Sequence, residues 1–283
     1  MATIKELKED MEFNTNLIDL LETMKSSAVF QFRALQARKE RYEEFFNAIN
    51  GFFELIGERG AGHRLMAPRP GKEAVIMVTS DEGFMGSLNL QVINAAGLGG
   101  SFGELQRIVI GERGARYFNE MGMPFVPFGS AGDAAARRSL ASTLTEYIIN
   151  GVMEERFGRV SIVYPKPISF VLQRVEAARI IPFPVISQTS REKSEGFQEL
   201  IIESPLDGII EYLACEQVRQ KLIDILEESK LSEFAARAMH LENSSQELAE
   251  KTKKIKLQYF KAHHEMIDKS TRELYSAQML IGK

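Results

Sequence analysis

A glycine-containing turn between a predicted strand and a predicted helix is the strongest candidate for chemistry in this sequence. Residues 80–87 follow the apolar run 73–79 and precede a helical stretch at 88–96, a position where phosphate-binding loops occur. The turn lacks the Gly-Lys-Ser/Thr ending of a P-loop, and Gly83 and Gly86 do not form a GxGxxG pattern. The spacing favours a tight strand-to-helix turn, and an enzyme that binds a nucleotide here stays open as an alternative.

The other residue types that could carry chemistry lack a functional spacing. The four histidines, His63, His240, His263 and His264, show no zinc-ligand spacing with Cys215, the single cysteine. Neighbouring carboxylates are typical of solvated helix faces, and no Ser-His-Asp order stands out. We therefore expect a chain that is not an enzyme by itself and has no catalytic residue, cofactor or metal.

Composition excludes several classes of protein. The chain has 283 residues, 26% of them charged, and a net charge of −4, so we expect no nucleic-acid partner. A single cysteine excludes an intrachain disulfide and favours a reducing compartment. No apolar run approaches the roughly 20 residues of a membrane span, and the first residues are neither a signal nor a transit peptide. We expect a soluble, cytoplasmic protein that contacts a membrane only through partners.

The C-terminal part, residues 205–283, predicts one very long helix. No Gly or Pro occurs from Ile209 to Ile281, and good helix formers dominate. As one helix this stretch would be roughly 110 Å long. Ser204 is its expected cap and Pro205 its first helical residue.

A heptad pattern on this helix predicts a partner helix. Steps of seven from Phe234 and from Ala238 define the two seam positions, which hold Phe234, Leu241, Leu248, Ile255 and Ala262, and Ala238, Ser245, Thr252, Tyr259 and Met266. After Met266 the seam decays, and apolar residues shift to Ile267, Leu274, Met279 and Leu280.

The N-terminal part, residues 1–57, carries a matching pattern. Its two seam positions hold Leu7, Leu21, Ala28, Leu35, Tyr42, Ile49 and Ile56, and Ile4, Met11, Ile18, Phe32, Phe46 and Phe53, and the seam is interrupted at Asn14, Lys25 and Lys39. Two heptad helices at opposite ends of one chain favour an antiparallel coiled coil within the chain, with a left-handed supercoil. Pairing of each helix with a second copy of itself is the alternative.

The middle, residues 73–202, predicts a small α/β domain inserted between the two helices of the coiled coil. Expected strands are 73–79, 107–110, an edge strand at 124–128, 159–164 and 168–181, with a turn at 165–167. Expected helices are 88–96, 114–121 and 133–152, the last capped by Asp133. Residues 57–72 and 188–198 are expected loops, and 199–202 a last extended piece. Strand and helix alternate, so the fold class is Rossmann-like α/β with a mostly parallel sheet, plus a long coiled coil.

Four stretches, in order along the chain, resemble the gamma subunit of the F-type ATP synthase. Residues 78–89 (VTSDEGFMGSLN) are similar to that family's TSDRGLCGGLN, and residues 23–33 (TMKSSAVFQFR) to its N-terminal motif. Residues 232–237 (SEFAAR) are similar to its Ser-Glu-x-Ala-Ala-Arg, and residues 259–262 to its Tyr-Asn-Lys-Ala. The chain departs from the family at Glu82, where Arg is usual, at Gln31, where Lys is usual, and at Glu242, where Lys is common. Met85 and Ser87 also replace the usual Cys and Gly.

The resemblance implies a non-catalytic rotor that transmits torque between the membrane ring and the catalytic hexamer. Implied partners are the alpha and beta subunits, the epsilon subunit and the ring of c subunits. The implied place is the cytoplasmic side of the bacterial inner membrane, as a peripheral protein. A coiled-coil adaptor or scaffold unrelated to rotation is the alternative function.

The resemblance and the seam also name candidate contacts to partner subunits. These residues are Met24, Lys25, Arg33, Arg237, Gln246, Leu274 and Leu280. Lys25 falls on a seam position, so we expect its ammonium to reach outward to the partner surface. The apolar residues of the tip are expected to lie in a hydrophobic sleeve.

Overall fold

The structure is a computed structural model that describes residues 3–38, 43–56, 63–66, 71–97, 105–182 and 205–281. The helices are α1 (Ile4–Arg38), α2 (Glu43–Ile56), α3 (Leu88–Ala95), α4 (Glu112–Glu120), α5 (Ala134–Met153) and α6 (Leu206–Ile281). The strands are β1 (Lys72–Val78), β2 (Leu105–Ile110), β3 (Val126–Phe128), β4 (Phe157–Pro167) and β5 (Gln173–Ile181). The chain forms two compact units, unit 1 (Met1–Phe30 with Ala238–Lys283) and unit 2 (Gln31–Arg237).

The long C-terminal helix is confirmed as one uninterrupted element of 76 residues. Its first turn closes where the Ile209 amide donates to the Pro205 carbonyl, so the helix begins one residue later than predicted. The expected cap Ser204 lies outside the described residues. The predicted N-terminal helix is described as α1 and α2, since residues 39–42 also lie outside the described ranges.

The seam of unit 1 has the predicted burial. Ala28 of α1 and Leu241 of α6 are almost fully buried, at 1% and 0% exposed. The polar seam residues Asn14 and Ser245 are buried as well. Along the seam of α6, Ala262 is still half-buried, whereas the next seam residue, Met266, is 51% exposed. The heptad spacing therefore identified the packed face of both helices and the point where that packing ends.

Unit 2 contains the predicted mixed sheet, in the order β3-β2-β1-β4-β5. Strands β1 to β4 are parallel to one another, and β5 runs antiparallel to β4. The proline-containing β3 lies at one edge, as predicted, because proline cannot donate to a second neighbour. Asp133 caps α5 as predicted, accepting a bond from the Ala136 amide at 2.7 Å.

Helices cover both faces of this sheet. Alternate β1 residues such as Ile76 face a core shared with α2, α5 and the first part of α6. Their neighbours, such as Met77, face a second core that includes Val92 of α3 and Phe118 of α4. Burial on both sides explains the continuous apolar runs of β1 and β2.

The predicted turn at residues 165–167 is wrong. Pro165 and Pro167 belong to β4, and the turn follows at residues 168–172, where the Ile168 amide donates to the Leu172 carbonyl. The pairing between β1 and β4 ends at Val163, so both prolines lie beyond the last β1 partner. Their missing N–H groups cost no ladder bond on that side.

Gly111 offers a direct test of how the ends of β1 and β2 meet. Its φ is +93°, and an added Cβ would lie 2.2 Å from the Thr79 carbonyl oxygen. We expect Gly111→Ala to lower the free energy of unfolding by about 3 kcal/mol or more, from backbone strain and overlap together. Urea unfolding would measure this loss.

Gly122 provides the matched control. Its φ is +65°, but an added Cβ would meet nothing within 4 Å. We expect Gly122→Ala to cost only the left-handed backbone strain, roughly 1–2 kcal/mol. Equal losses for the two variants would show that the contact with Thr79 is not tight.

Candidate functional site

Charged side chains join the two helices of unit 1 in an ion cluster formed by Glu22, Lys25, Glu242 and Ser245. The Lys25 Nζ lies 2.5 Å from Glu22 Oε2 and 2.7 Å from Glu242 Oε2. The Ser245 hydroxyl donates to Glu22 Oε1 at 3.1 Å. Lys25 meets Glu242, and Glu22, earlier in α1, meets Ser245, later in α6. This order requires the two helices to run antiparallel.

The ion cluster changes the expectation for Lys25. Its side chain is 24% exposed, and its ammonium is neutralised by two carboxylates of the same chain. Hydrogen bonds from Lys25 hold the pKa of both Glu22 and Glu242 below the ordinary value, and the same bonds raise the pKa of Lys25. This placement favours a role for Lys25 inside the helix pair over a contact with a partner.

The lowered carboxyl pKa values predict an acid-sensitive helix pair. A group with a lowered folded-state pKa stabilises the fold above its unfolded-state pKa, and the contribution is lost as pH falls through the folded-state value. The chain should therefore lose this stability below roughly pH 4 to 5, where glutamate protonates. Thermal melts recorded above, within and below this pH range would measure the loss of stability for the wild type and for the double variant Glu22→Gln/Glu242→Gln.

The double variant should show a shallower dependence on pH, because it lacks the two titrating groups. Glu9→Gln is the control, since Glu9 is 64% exposed and pairs with Lys5 on its own helix. Parallel curves for the wild type and the double variant would contradict the prediction.

Unit 2 contains a second charged group, the Arg237 network, formed by Arg237, Glu233, Lys230, Glu82 and Gly83. The Arg237 Nη2 lies 2.7 Å from Glu233 Oε1 and 2.9 Å from Glu82 Oε2. The Arg237 Nε donates to the Gly83 carbonyl at 3.3 Å, and the Lys230 Nζ lies 2.9 Å from Glu233. The Arg237 and Glu233 side chains are each 8% exposed. The network thus ties α6 to the loop between β1 and α3.

Apolar contacts reinforce this attachment. Met85 and Leu88 pack against Ala236 on the same turn of α6. Phe170, in the turn between β4 and β5, meets Phe32 of α1 with ring centroids 5.0 Å apart. The turn at residues 80–87 and the turn between β4 and β5 therefore both pack against helices of unit 2.

Tyr164 adds a polar tie from β4. Its side chain is buried, and burial together with the nearby Glu228 carboxylate raises the pKa of the phenol. A side-chain hydrogen bond between Tyr164 and Glu228 contributes to the same shift. The strand is thereby bonded to α6 about two turns before Arg237.

Polar groups of the turn at residues 80–87 bond to neighbouring elements of the fold. The Ser80 amide donates to Asn89 Oδ1 at 3.1 Å, and the Asn89 amide group donates to the Ser80 hydroxyl at 2.8 Å. The Asp81 carboxylate accepts the Glu112 amide at 3.3 Å. These bonds are those of a tight turn, the interpretation that the sequence favours, and they leave Ser80 and Asp81 committed to the fold.

The remaining predicted contact residues lie on the helices. Met24 is half-buried, whereas Arg33 and Gln246 are exposed and Leu274 is 66% exposed. Gln246 donates to Glu242 Oε1 at 2.6 Å and so borders the ion cluster. Leu280 lies in the last turn of α6, and its side chain is not among the described ones. Arg237 differs from these residues, because its donors are used inside the chain.

Sequence reasoning missed several residues that build these sites. Glu233 belongs to the Ser-Glu-x-Ala-Ala-Arg stretch, and its spacing of four from Arg237 could have identified the pair on one helix face. Phe170 and Tyr164 gave no comparable signal, because their partners lie on distant parts of the chain.

Neither a metal site nor a membrane span is found in the described part of the chain. Within those ranges, no group of three or more His, Cys, Asp or Glu side chains is placed to hold a metal ion. Among the same residues, no helix combines the length and apolar composition needed to cross a membrane.

Comparison with known proteins gives a match over nearly the whole chain. A family model described as ATP synthase matches residues 3–277. The ATP synthase gamma chain of Halothermothrix orenii is 23% identical over 279 residues and covers 97% of both chains. The ATP synthase gamma chain of Bdellovibrio bacteriovorus is 23% identical over 295 residues and covers both chains completely.

Solved structures share the fold. The rotor of the Euglena gracilis mitochondrial ATP synthase aligns with a TM-score of 0.67 at 15% identity, covering 93% of this chain and 98% of that one. The central stalk and c-ring structure from Tetrahymena thermophila aligns with a TM-score of 0.61 at 14% identity, covering 80% of this chain and 99% of that one.

Proposed function

The chain belongs to the ATP synthase gamma family, and we propose that its helix pair and its sheet domain divide the work of the central stalk between them. It is the non-catalytic rotor subunit of an F-type ATP synthase. Its partners are the alpha and beta subunits, the epsilon subunit and the c-ring.

One observation carries the mechanical proposal: α6 runs without a break from the core of the sheet domain to Ile281. Ile210 and Leu222 are fully buried in that core, and Leu241 is fully buried within unit 1. An uninterrupted helix with packed side chains resists bending better than one with a Gly or Pro break. The helix can therefore carry twist along its length.

Rotation couples to catalysis when each angle of the helix pair binds one arrangement of the surrounding ring better than the others. The energy available for coupling is that difference in binding, not the total affinity. An asymmetric pair of helices meets this requirement, because its faces differ in charge and shape. The chain itself then needs no catalytic residue.

We assign the parts of the stalk by segment. Residues 1–57 and 205–283 are proposed as the coiled-coil axle inside the ring of alpha and beta subunits. Residues 73–202 are proposed as the foot that meets the epsilon subunit and the c-ring. Support for this division comes from the helical seam at the chain ends and from the sheet between them, although one of its two cores also includes α2 and the first part of α6.

Exposed residues of the axle are proposed to touch the ring. Arg33, Gln246 and Leu274 present exposed side chains, Met24 is half-buried on α1, and Leu280 lies in the last turn of α6. Single alanine variants at these positions should change the rate of ATP hydrolysis by the assembled complex while leaving the melting temperature of the isolated chain nearly unchanged.

The cytoplasmic side of the bacterial inner membrane is the proposed location. Bacterial relatives of full length support it. Fractionation of the native bacterium should place the protein with the membranes, and a wash that removes peripheral proteins should release it. Recovery in the soluble fraction before any wash would oppose this location.

Co-purification tests the rotor function. The tagged chain, co-expressed with the alpha and beta subunits of its own organism, should recover both, with three copies of each per copy of this chain. A chain that stays alone under these conditions would count against the proposal. A symmetric dimer joined through its own terminal helices, seen by sedimentation, would favour the adaptor alternative.

A further inference from the structure

We propose that the Arg237 network is a joint that, together with the core packing of the first part of α6, fixes this helix against rotation relative to the sheet domain, an inference that rests on the rotor function. Arg237, Glu233 and Glu82 act as positioning residues in this proposal. They transmit twist between the long helix and the loop at residues 80–87.

The geometry suits a joint. Twist of a helix about its own axis is resisted by contacts that lie away from that axis, and a long side chain gives such a contact a lever arm. The Arg237 guanidinium reaches both the Glu82 carboxylate at 2.9 Å and the Gly83 carbonyl at 3.3 Å, so it holds two consecutive residues of the loop. Packing of Met85 and Leu88 on Ala236 holds the same loop from the adjacent face.

The network is also held rigidly from the helix side. Glu233 lies one turn before Arg237 and binds the same Nη2 atom at 2.7 Å, while Lys230 neutralises Glu233 at 2.9 Å. The Lys230, Glu233 and Arg237 side chains are 8–11% exposed, so little water competes for these bonds. The bonds to Glu233 therefore fix the orientation of the Arg237 guanidinium from the helix side, independently of its contacts with the loop.

Glu82 supplies the loop side of this joint. An arginine at this position would put two guanidinium groups side by side. Here a carboxylate attracts Arg237 instead, and the pair is charge-assisted although Glu82 is 72% exposed. The planar fork of Arg237 serves three acceptors at once, which a lysine ammonium cannot match in direction.

The test compares ion transport with ATP hydrolysis in the assembled, membrane-reconstituted enzyme. Glu82→Arg reverses the charge that Arg237 meets and should lower the number of ions transported per ATP hydrolysed, and Glu82→Gln should lower it less. Arg237→Lys keeps the charge but loses the fork, so it should also lower the ratio. Glu120→Gln, at an exposed carboxylate on α4, is the matched control and should leave the ratio unchanged.

The outcomes separate this inference from the rotor function. If the wild-type chain assembles and couples transport to hydrolysis while the Glu82 and Arg237 variants keep the wild-type ratio, the joint is refuted and the rotor function stands. If the wild-type chain neither assembles nor couples, the rotor function itself fails. A lower ratio in these variants but not in Glu120→Gln supports the joint.

Hydrogen exchange on the isolated chain gives a second measurement that does not depend on assembly. In Glu82→Arg, amides of the loop at residues 83–88 should exchange about tenfold faster, the factor that corresponds to roughly 1.4 kcal/mol of lost local stability. Amides of β1 should keep their wild-type rates. Unchanged exchange in the loop would contradict the proposal even if the functional assay were ambiguous about its cause.

Discussion

Replacement of Phe32 by Asp should lower the melting temperature of the isolated chain by roughly 10 °C or more, the shift that several kcal/mol produces in a chain of this size. Phe32 is 7% exposed and packs with Leu231, Ala235 and the Phe170 ring. Removing a buried Phe side chain costs about 3–5 kcal/mol. The new carboxylate adds the cost of burying an unpaired charge at this position.

Phe30→Asp is the matched control for this change. Phe30 lies two residues earlier on the same helix and is 73% exposed, so its replacement should change the free energy of unfolding by no more than about 0.5 kcal/mol. Circular dichroism melts of both variants would measure the difference. An unaltered melting temperature for Phe32→Asp would mean that Phe32 faces solvent and that the seam is misplaced.

Heptad spacing predicted the helix pair well because it reports burial directly. Ala28, Phe32 and Leu241 are buried where the period of seven places them. Asn14 is polar and interrupts the apolar seam, yet it is also buried, since position on the helix decides burial before residue type does. The helix pair could therefore be predicted from periodicity alone.

The end of β4 was harder to predict. Two prolines in three residues are typical of a turn, and the sequence alone does not reveal that β1 stops pairing at Val163. Only the sheet topology shows that Pro165 and Pro167 face no ladder partner on that side. The strand continues through them because no hydrogen bond is lost there.

The intrachain partners of the charged candidate residues could not be predicted from the sequence. Lys25 and Arg237 lie on long helices, where a solvated cation is the ordinary expectation. Their carboxylate partners, Glu242 and Glu82, are far away in the chain, so no local spacing in the sequence predicts these two pairs. Both partners stand at positions where the chain departs from its family, and the departures become understandable once the pairs are seen.

Replacement of Lys253 by proline should interrupt α6 and impair the coiled-coil axle without removing any side chain of the seam. Lys253 is exposed on α6, between the seam residues Thr252 and Ile255. Proline removes the N–H that bonds to the Ala249 carbonyl and its ring clashes with that carbonyl, at a cost of about 3 kcal/mol or more. The expected result is a kink at this position and a lower melting temperature.

The same variant tests whether twist must pass through an unbroken helix. The assembled enzyme with Lys253→Pro should continue to hydrolyse ATP but transport fewer ions per ATP. The reason is that the two parts of a kinked helix no longer share one axis, so rotation of one part is transmitted incompletely to the other. Lys253→Ala keeps the backbone bond and should behave as wild type, since alanine is a better helix former than lysine. If Lys253→Pro transports as many ions per ATP as Lys253→Ala does, a stiff α6 is unnecessary for coupling, and torque must travel through contacts of the ring with the other helix.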